Sequence, residues 1–306
     1  MANLAQALRR PRKVYWGWYV VLVSAAAHFV SGGIYGTGFG VFFKPMAQDL
    51  DLTRAAVAGA TSLRTLTNSF TGPFIGPLLD RYGPRPIMIV GAIAAVLATM
   101  LLGQVQDALQ FYLVMGVIGP LAMAGIGELV AGTTVAKWFI RYRGRALGFS
   151  AAGISAGIAV IAPINDAIIS AHGWRTAWVF SGLLIGVVVL LPTILFMRQA
   201  PESMGLLPDG DEASPLAPAA GQTATARPKE ESWTLKEAVR TPTLWLMLAG
   251  LDLAGMGVSG ITIHQVPYVT DLGYAPAVAA SMITVWGIFA LTAKIVFGFL
   301  GERYTV

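Results

Sequence analysis

Not one cysteine occurs in the 306 residues, which excludes a disulfide framework and a thiolate metal site. Histidine is almost as scarce, with three residues and no metal-ligand spacing among them. Charged residues amount to only 12% of the chain, too few for the surface of an ordinary soluble domain. No nucleophile elbow, Walker lysine or other cofactor-binding pattern is present, so the chain reads as neither an enzyme nor an ATP-driven pump, and it calls for no cofactor. The glycine-rich Gly36-Thr37-Gly38-Phe39-Gly40 lies within an apolar run with no strand before it, and is not a nucleotide loop.

What the chain has in abundance is apolar sequence: 55% hydrophobic residues and a mean hydropathy of +0.65. Its first partner is therefore the lipid bilayer. About 20 apolar residues are needed to cross roughly 30 Å of hydrocarbon. Eight runs meet that need, at approximately 15–43, 55–79, 86–104, 110–136, 146–170, 176–197, 242–268 and 276–300. The first follows Arg9, Arg10, Arg12 and Lys13 and is too long for a signal-peptide core, so it is expected to be an uncleaved span. The net charge of +5 does not point to nucleic acid, because the basic residues cluster at the ends of apolar runs. A cytoplasmic N-terminus puts 16 of the 21 Lys and Arg residues on the cytoplasmic side, leaving Lys44, Arg54 and Arg175 outside and Arg64 and Lys294 within spans. The expectation is a multi-pass protein of the cell's inner (plasma) membrane.

One long polar stretch, 198–240, is rich in Pro, Ala, Gly, Asp and Glu and reads as a cytoplasmic linker. It separates residues 1–197, a six-helix bundle, from 241–306, the first two helices of a second bundle. Near its end, Trp233 to Arg240 has the spacing of a short interfacial helix leading into Pro242.

Between the second and third runs stands Gly76-Pro77-Leu78-Leu79-Asp80-Arg81-Tyr82-Gly83-Pro84-Arg85. The pattern Gly-x-Leu-x-acid-Arg returns 222 residues later as Gly298-Phe299-Leu300-Gly301-Glu302-Arg303. Gly76 permits close helix approach, Gly83 and Pro84 force a turn, and Asp80 is free to cap a helix or pair with an arginine. After the fourth run, Arg143-Gly144-Arg145-Ala146-Leu147-Gly148, followed by Gly153 and Gly157, presents small residues for tight packing.

The loop from Gly76 to Arg85 resembles the signature loop of the major facilitator superfamily. Trp16-Gly17-Trp18, Val41-Phe42-Phe43, the Arg-Gly-x-Ala-x-Gly junction, Gly173-Trp174-Arg175 and Pro201 to Gly210 are similar to its monocarboxylate and oxalate/formate transporter branch. The resemblance implies an all-α integral membrane protein with the facilitator fold: a six-helix N-terminal bundle plus two helices of an incomplete C-terminal bundle, about 8 of 12 transmembrane helices. It implies a secondary transporter of a small organic anion, most of all a monocarboxylate, working by alternating access with or without a co-transported proton. Gly76, Asp80, Arg81, Gly83, Arg85, Glu302 and Arg303 would be gating residues. A carrier of another solute, such as a drug or sugar, a facilitator-like sensor and an incomplete product remain alternatives.

Ionisable groups inside spans are expensive and usually have a partner or a purpose. Lys294 lies eight residues before Glu302, about 12 Å along a helix, close to the membrane midplane. It is the leading substrate-binding candidate, and the resembled branch carries a carboxylate-binding basic residue at the matching place. That branch's lysine in the first span and aspartate before the basic residue are replaced here by Thr37 and Ala290. Arg64 lies 16 residues before Asp80, about 24 Å, where outward snorkelling competes with ligand contact. Tyr35 and Asn68 complete the substrate-binding set. Glu128, Asp252 and His28 are the candidates for carrying a coupling proton, against the alternative of intramembrane hydrogen bonds.

Overall fold

In the computed structural model the described residues are 14–210, 234–274 and 276–303. Among them all regular structure is helical. The cluster Arg9 to Lys13 and residues 211–233 of the polar stretch lie outside the described residues. We label the long helices α1 (Trp16–Asp49), α2 (Arg54–Tyr82), α3 (Pro84–Leu102), α4 (Ala108–Trp138), α5 (Arg143–His172), α6 (Trp174–Phe196), α7 (Pro242–Asp271) and α8 (Pro276–Arg303).

Residues 14–210 and 287–303 form one compact unit, and 234–286 form another. In the first unit α1 packs most extensively on α5, α3 on α6, and α2 on α4. The α1–α5 crossing is close because glycines remove the side chains between the backbones. A Cβ on Gly33 would stand 2.5 Å from the Gly157 carbonyl oxygen, and one on Gly157 would collide with the Phe29 carbonyl. The α2–α3 and α5–α6 connections each turn on one left-handed glycine, Gly83 (φ 78°) and Gly173 (φ 83°).

Aromatic clusters close the two ends of this bundle. At the end carrying Arg81, Arg85, Arg143 and Arg145, Trp16 Nε1 donates to the Phe196 carbonyl at 2.9 Å and Tyr19 stacks on Phe196. This is the basic end of the bundle. At the opposite end Trp178 stacks on Phe42 with centroids 4.1 Å apart, while Arg175 pairs with Asp49 and donates to the Val105 carbonyl at 3.2 Å.

Eight apolar runs are expected from sequence, whereas six helices among the described residues are long and apolar enough to cross a membrane. They are α1, α3, α4, α5, α6 and Val285–Arg303 of α8. At α2 the difference has a plain cause: the helix carries Arg64 and a run of Thr, Ser and Asn from Thr61 to Thr71. Helix α7 contains the apolar stretch Pro242–Val258. The α2 hydroxyls are satisfied locally: Thr61, Thr65, Ser69 and Thr71 donate to carbonyls one turn back.

The second unit contains α7 and the start of α8. Before α7, the expected interfacial helix is reduced to a single turn, Leu235–Ala238. A reciprocal cap holds it, with Thr234 and Glu237 each bonding the other's backbone N–H. The Thr234 hydroxyl and then its backbone N–H, both donating to the carboxylate, hold Glu237 below the ordinary glutamate range.

Candidate functional site

A cavity of about 270 Å³ opens in the first unit among α1, α2, α4 and α5. Its wall is built by breaks in two helices. In α1 the regular helix ends at Val30, a π turn spans Ser31–Tyr35, and a 3-10 turn follows at Thr37–Phe39. The Phe39 N–H bonds the Gly36 carbonyl at 3.1 Å, leaving the Tyr35 carbonyl without its usual donor four residues on. The guanidinium of Arg64 supplies the missing donor. Helix α4 is also irregular, with a π turn at Val114–Ile118 before Pro120 and a second break before Glu128. Discontinuous helices facing a cavity are how a membrane bundle exposes polar backbone where a solute can use it.

The structure brings Tyr35, Arg64 and Asn68 to this one cavity, together with Ser31, Thr65, Pro120, Met123 and Ile154. Arg64 is the one charged residue in that lining, and no carboxylate faces it there. It therefore does not snorkel away from the bundle, as its sequence position allowed; the break in α1 holds it. Tyr35 is buried, and its hydroxyl lies 2.9 Å from Thr99 Oγ1, so the ring forms wall while the hydroxyl is bonded to α3.

Lys294 lies outside that lining. Its ammonium donates to the Ala151 carbonyl at 3.3 Å and to Ser155 Oγ at 3.2 Å, on the turn of α5 that also carries the cavity residue Ile154. Glu128, exposed at the start of the second segment of α4, is an electrostatic neighbour of Lys294. His28 is buried on the α1–α5 seam with Nδ1 2.9 Å from the Ser150 carbonyl. A carbonyl only accepts, so Nδ1 is the donor in this contact, and Nε2 has no hydrogen-bond partner among the described residues. Asp252 is exposed on α7 in the second unit.

The two copies of the Gly-x-Leu-x-acid-Arg pattern differ. In the first, Gly83 makes its turn and Arg85 donates to the Ile194 carbonyl at 3.0 Å, while Arg81 lies 5.2 Å from the ring of Tyr82. Asp80 is exposed and has no hydrogen bond or ion pair among the described residues. The close approach expected at Gly76 is not made either: a Cβ there would meet nothing within 4 Å among them. The second copy is engaged. Glu302 accepts from the Arg145 backbone N–H at 2.9 Å and pairs with the Arg145 guanidinium, while Arg303 is exposed. Beneath that pair the helices touch backbone to backbone, a Cβ on Gly298 falling 2.7 Å from the Gly144 oxygen and one on Gly148 2.6 Å from the Lys294 oxygen. The small-residue junction at the start of α5 is thus the docking face for α8, and the same contact carries Lys294.

Sequence reasoning passed over Asp209. Its carboxylate accepts from the backbone N–H groups of Ile140, Arg141 and Tyr142 at 3.2, 2.9 and 3.1 Å. The dipeptide Asp-Gly after Pro208 is a turn signal that could have marked it, although not its partner 67–69 residues away.

A family model described as the Major Facilitator Superfamily matches residues 18–305. The oxalate:formate antiporter of Oxalobacter formigenes is 24% identical over 288 residues, covering 94% of this chain and 63% of that protein. Monocarboxylate transporter 11 of Homo sapiens is 26% identical over 290 residues, covering 94% and 57%. Monocarboxylate transporter 1 of Bos taurus is 32% identical over 181 residues, covering 57% and 34%. The chain spans less than two thirds of the length of these curated relatives.

Proposed function

The chain belongs to the major facilitator superfamily, and from that premise we propose that it carries a small organic anion, most favourably a monocarboxylate, across the cell's inner membrane by alternating access. The observation that carries this reading is Arg64 as the one charge lining the cavity. A fixed cation with no carboxylate beside it in that lining favours an anion over a sugar or a cationic drug, because a neutral solute leaves the half-buried guanidinium uncompensated. The relatives named above are transporters rather than enzymes, and their names specify oxalate, formate and monocarboxylates.

In this reading Arg64 anchors the carboxylate, with the Asn68 side-chain amide offering a hydrogen bond from the same helix face. Lys294 is the second cation, one turn of α5 removed, and its neighbour Glu128 is the group suited to exchanging a proton when the anion's charge arrives. Arg145, Glu302 and the glycine contact beneath them form a latch at the basic end, which we take as the cytoplasmic side on the distribution of Lys and Arg. Residues 1–197 and 241–306 are taken as parts of two bundles joined by a linker at 198–240, which rock about the site.

Binding separates the anion reading from its rivals. Melting of the purified full-length protein, followed with formate, oxalate and lactate beside formamide, oxamide, lactamide and glucose, should show upward shifts with the anions alone. A solute at 100 times its Kd stabilises by about 2.7 kcal/mol. Equal shifts with the amides, or a shift with glucose only, would exclude a carboxylate site.

A further inference from the structure

We infer that Asp209 is a positioning residue for the α5–α8 latch, its carboxylate folding the α4–α5 turn that aims Arg145 at Glu302. The inference rests on the alternating-access reading for its functional meaning, though not for its geometry.

The three N–H groups that Asp209 receives lie between Trp138, where α4 ends, and Arg143, where α5 begins. Neither helix's internal ladder uses them, so an external acceptor decides how the turn folds. Consecutive N–H groups converging on a carboxylate make an anion nest, here filled by the chain itself. Asp209 reaches them because it adopts φ 63° and Gly210 adopts φ 76°, two left-handed residues in succession. That conformation is uncommon for a residue with a Cβ and persists where surrounding contacts hold it. Those contacts are present. Pro201 and Pro208 are buried, and the Leu206 N–H closes on the Pro201 carbonyl at 3.0 Å. The Tyr15 hydroxyl lies 3.0 Å from the Leu207 carbonyl and 3.2 Å from that of Trp138. The segment Pro201 to Gly210 is thus a strap tied to the start of α1 and to the α4–α5 turn.

The turn in turn sets α5. Arg143 donates back to the Phe139 and Ala136 carbonyls at 3.1 and 3.2 Å, and two residues on, Arg145 binds Glu302. An α-helix rotates by about 100° per residue, so a slip of one residue at this turn would swing Arg145 away from α8. It would also bring a side chain into the place of Gly144 or Gly148, where the backbones touch. Asp209 stands within the polar stretch at the far end of the strap, so a pull on the residues beyond it meets the latch first through this carboxylate.

Phe149 of α5 and Phe299 of α8, with ring centroids 6.1 Å apart, give the test its reporter sites, since these 306 residues contain no native cysteine. In the full-length protein carrying Phe149→Cys and Phe299→Cys, the yield of a short bifunctional thiol cross-linker reads latch closure without any solute. Asp209→Ala should lower that yield by about fivefold or more, within the usual range of coupling between sites. Glu202→Gln, on the exposed side of the same strap, should leave it unchanged. In a Glu302→Gln background, which already lacks the ion pair, Asp209→Ala should have no further effect; a residue that merely stabilises the fold would lower the yield in both. An unchanged yield in Asp209→Ala, or an equal further loss with Glu302→Gln, overturns the inference. If Asp209→Ala does not accumulate in the membrane, Asp209→Asn, which keeps the shape and one carbonyl acceptor, carries the same two outcomes. Failure of anion uptake in a protein whose latch still obeys Asp209 would count against the transport reading and leave the strap standing.

Discussion

In proteoliposomes, Arg64→Gln in the full-length protein reduces organic-anion uptake to the level of protein-free vesicles, and Arg64→Lys retains a measurable fraction. The reason lies in what surrounds the guanidinium. It is half-buried, is the one charge lining the cavity, and spends one of its donors on the Tyr35 carbonyl. Truncating one member of a buried hydrogen-bonded charge pair costs about 2–5 kcal/mol, equivalent to roughly thirtyfold or more in affinity. Lysine keeps the charge but not the forked geometry that binds a carboxylate at two points. Because Arg64 also caps a broken helix, glutamine is the informative replacement: it keeps a donor for the Tyr35 carbonyl while removing the charge. Uptake that survives in Arg64→Gln would remove the cavity from the account. A loss of uptake accompanied by a collapse in melting temperature would assign Arg64 to the fold.

Gly157→Val is expected to be the most damaging single substitution away from the charged groups. A Cβ at this position collides with the Phe29 backbone carbonyl, and backbone cannot swing aside as a flexible side-chain end can. Helices α1 and α5 must separate, and overpacking of this kind costs about 1–3 kcal/mol or more. The same crossing supplies Gly32 and Ile154 to the cavity, so solute binding should fall together with stability. Gly132→Ala in α4 is the matched control, because a Cβ there meets nothing within 4 Å among the described residues. Its melting temperature should equal or exceed that of the parent. If Gly157→Val melts like Gly132→Ala, the backbone contact at the α1–α5 crossing is not as described.

Much of this architecture can be read from the chain, since apolar runs, glycine spacing and the placement of arginines follow directly from the bilayer as solvent. The site was legible residue by residue rather than as a place. Tyr35, Arg64 and Asn68 stand out because polar groups are rare in spans, yet nothing local says that they share a cavity. Their meeting depends on the π turn in α1, a departure from regular helix that the surrounding packing permits and that glycine content alone does not locate. Lys294 is similar: its depth follows from helix rise, whereas its attachment to Ala151 and Ser155 needs the glycine contact with α5. Asp209 was the least legible. An aspartate in a polar, proline-rich stretch reads as solvated, and only the fold brings it beneath a turn of the bundle.

In the proposed reading small organic anions cross on the cations Arg64 of α2 and Lys294 of α8. The most direct test is uptake of labelled formate, oxalate and lactate by the full-length protein in proteoliposomes, with Lys294→Ala measured alongside. At least one of these anions should accumulate above protein-free vesicles, and that accumulation should be lost in Lys294→Ala at equal protein content. Absence of accumulation for all three, or the same accumulation with and without the lysine, would contradict it.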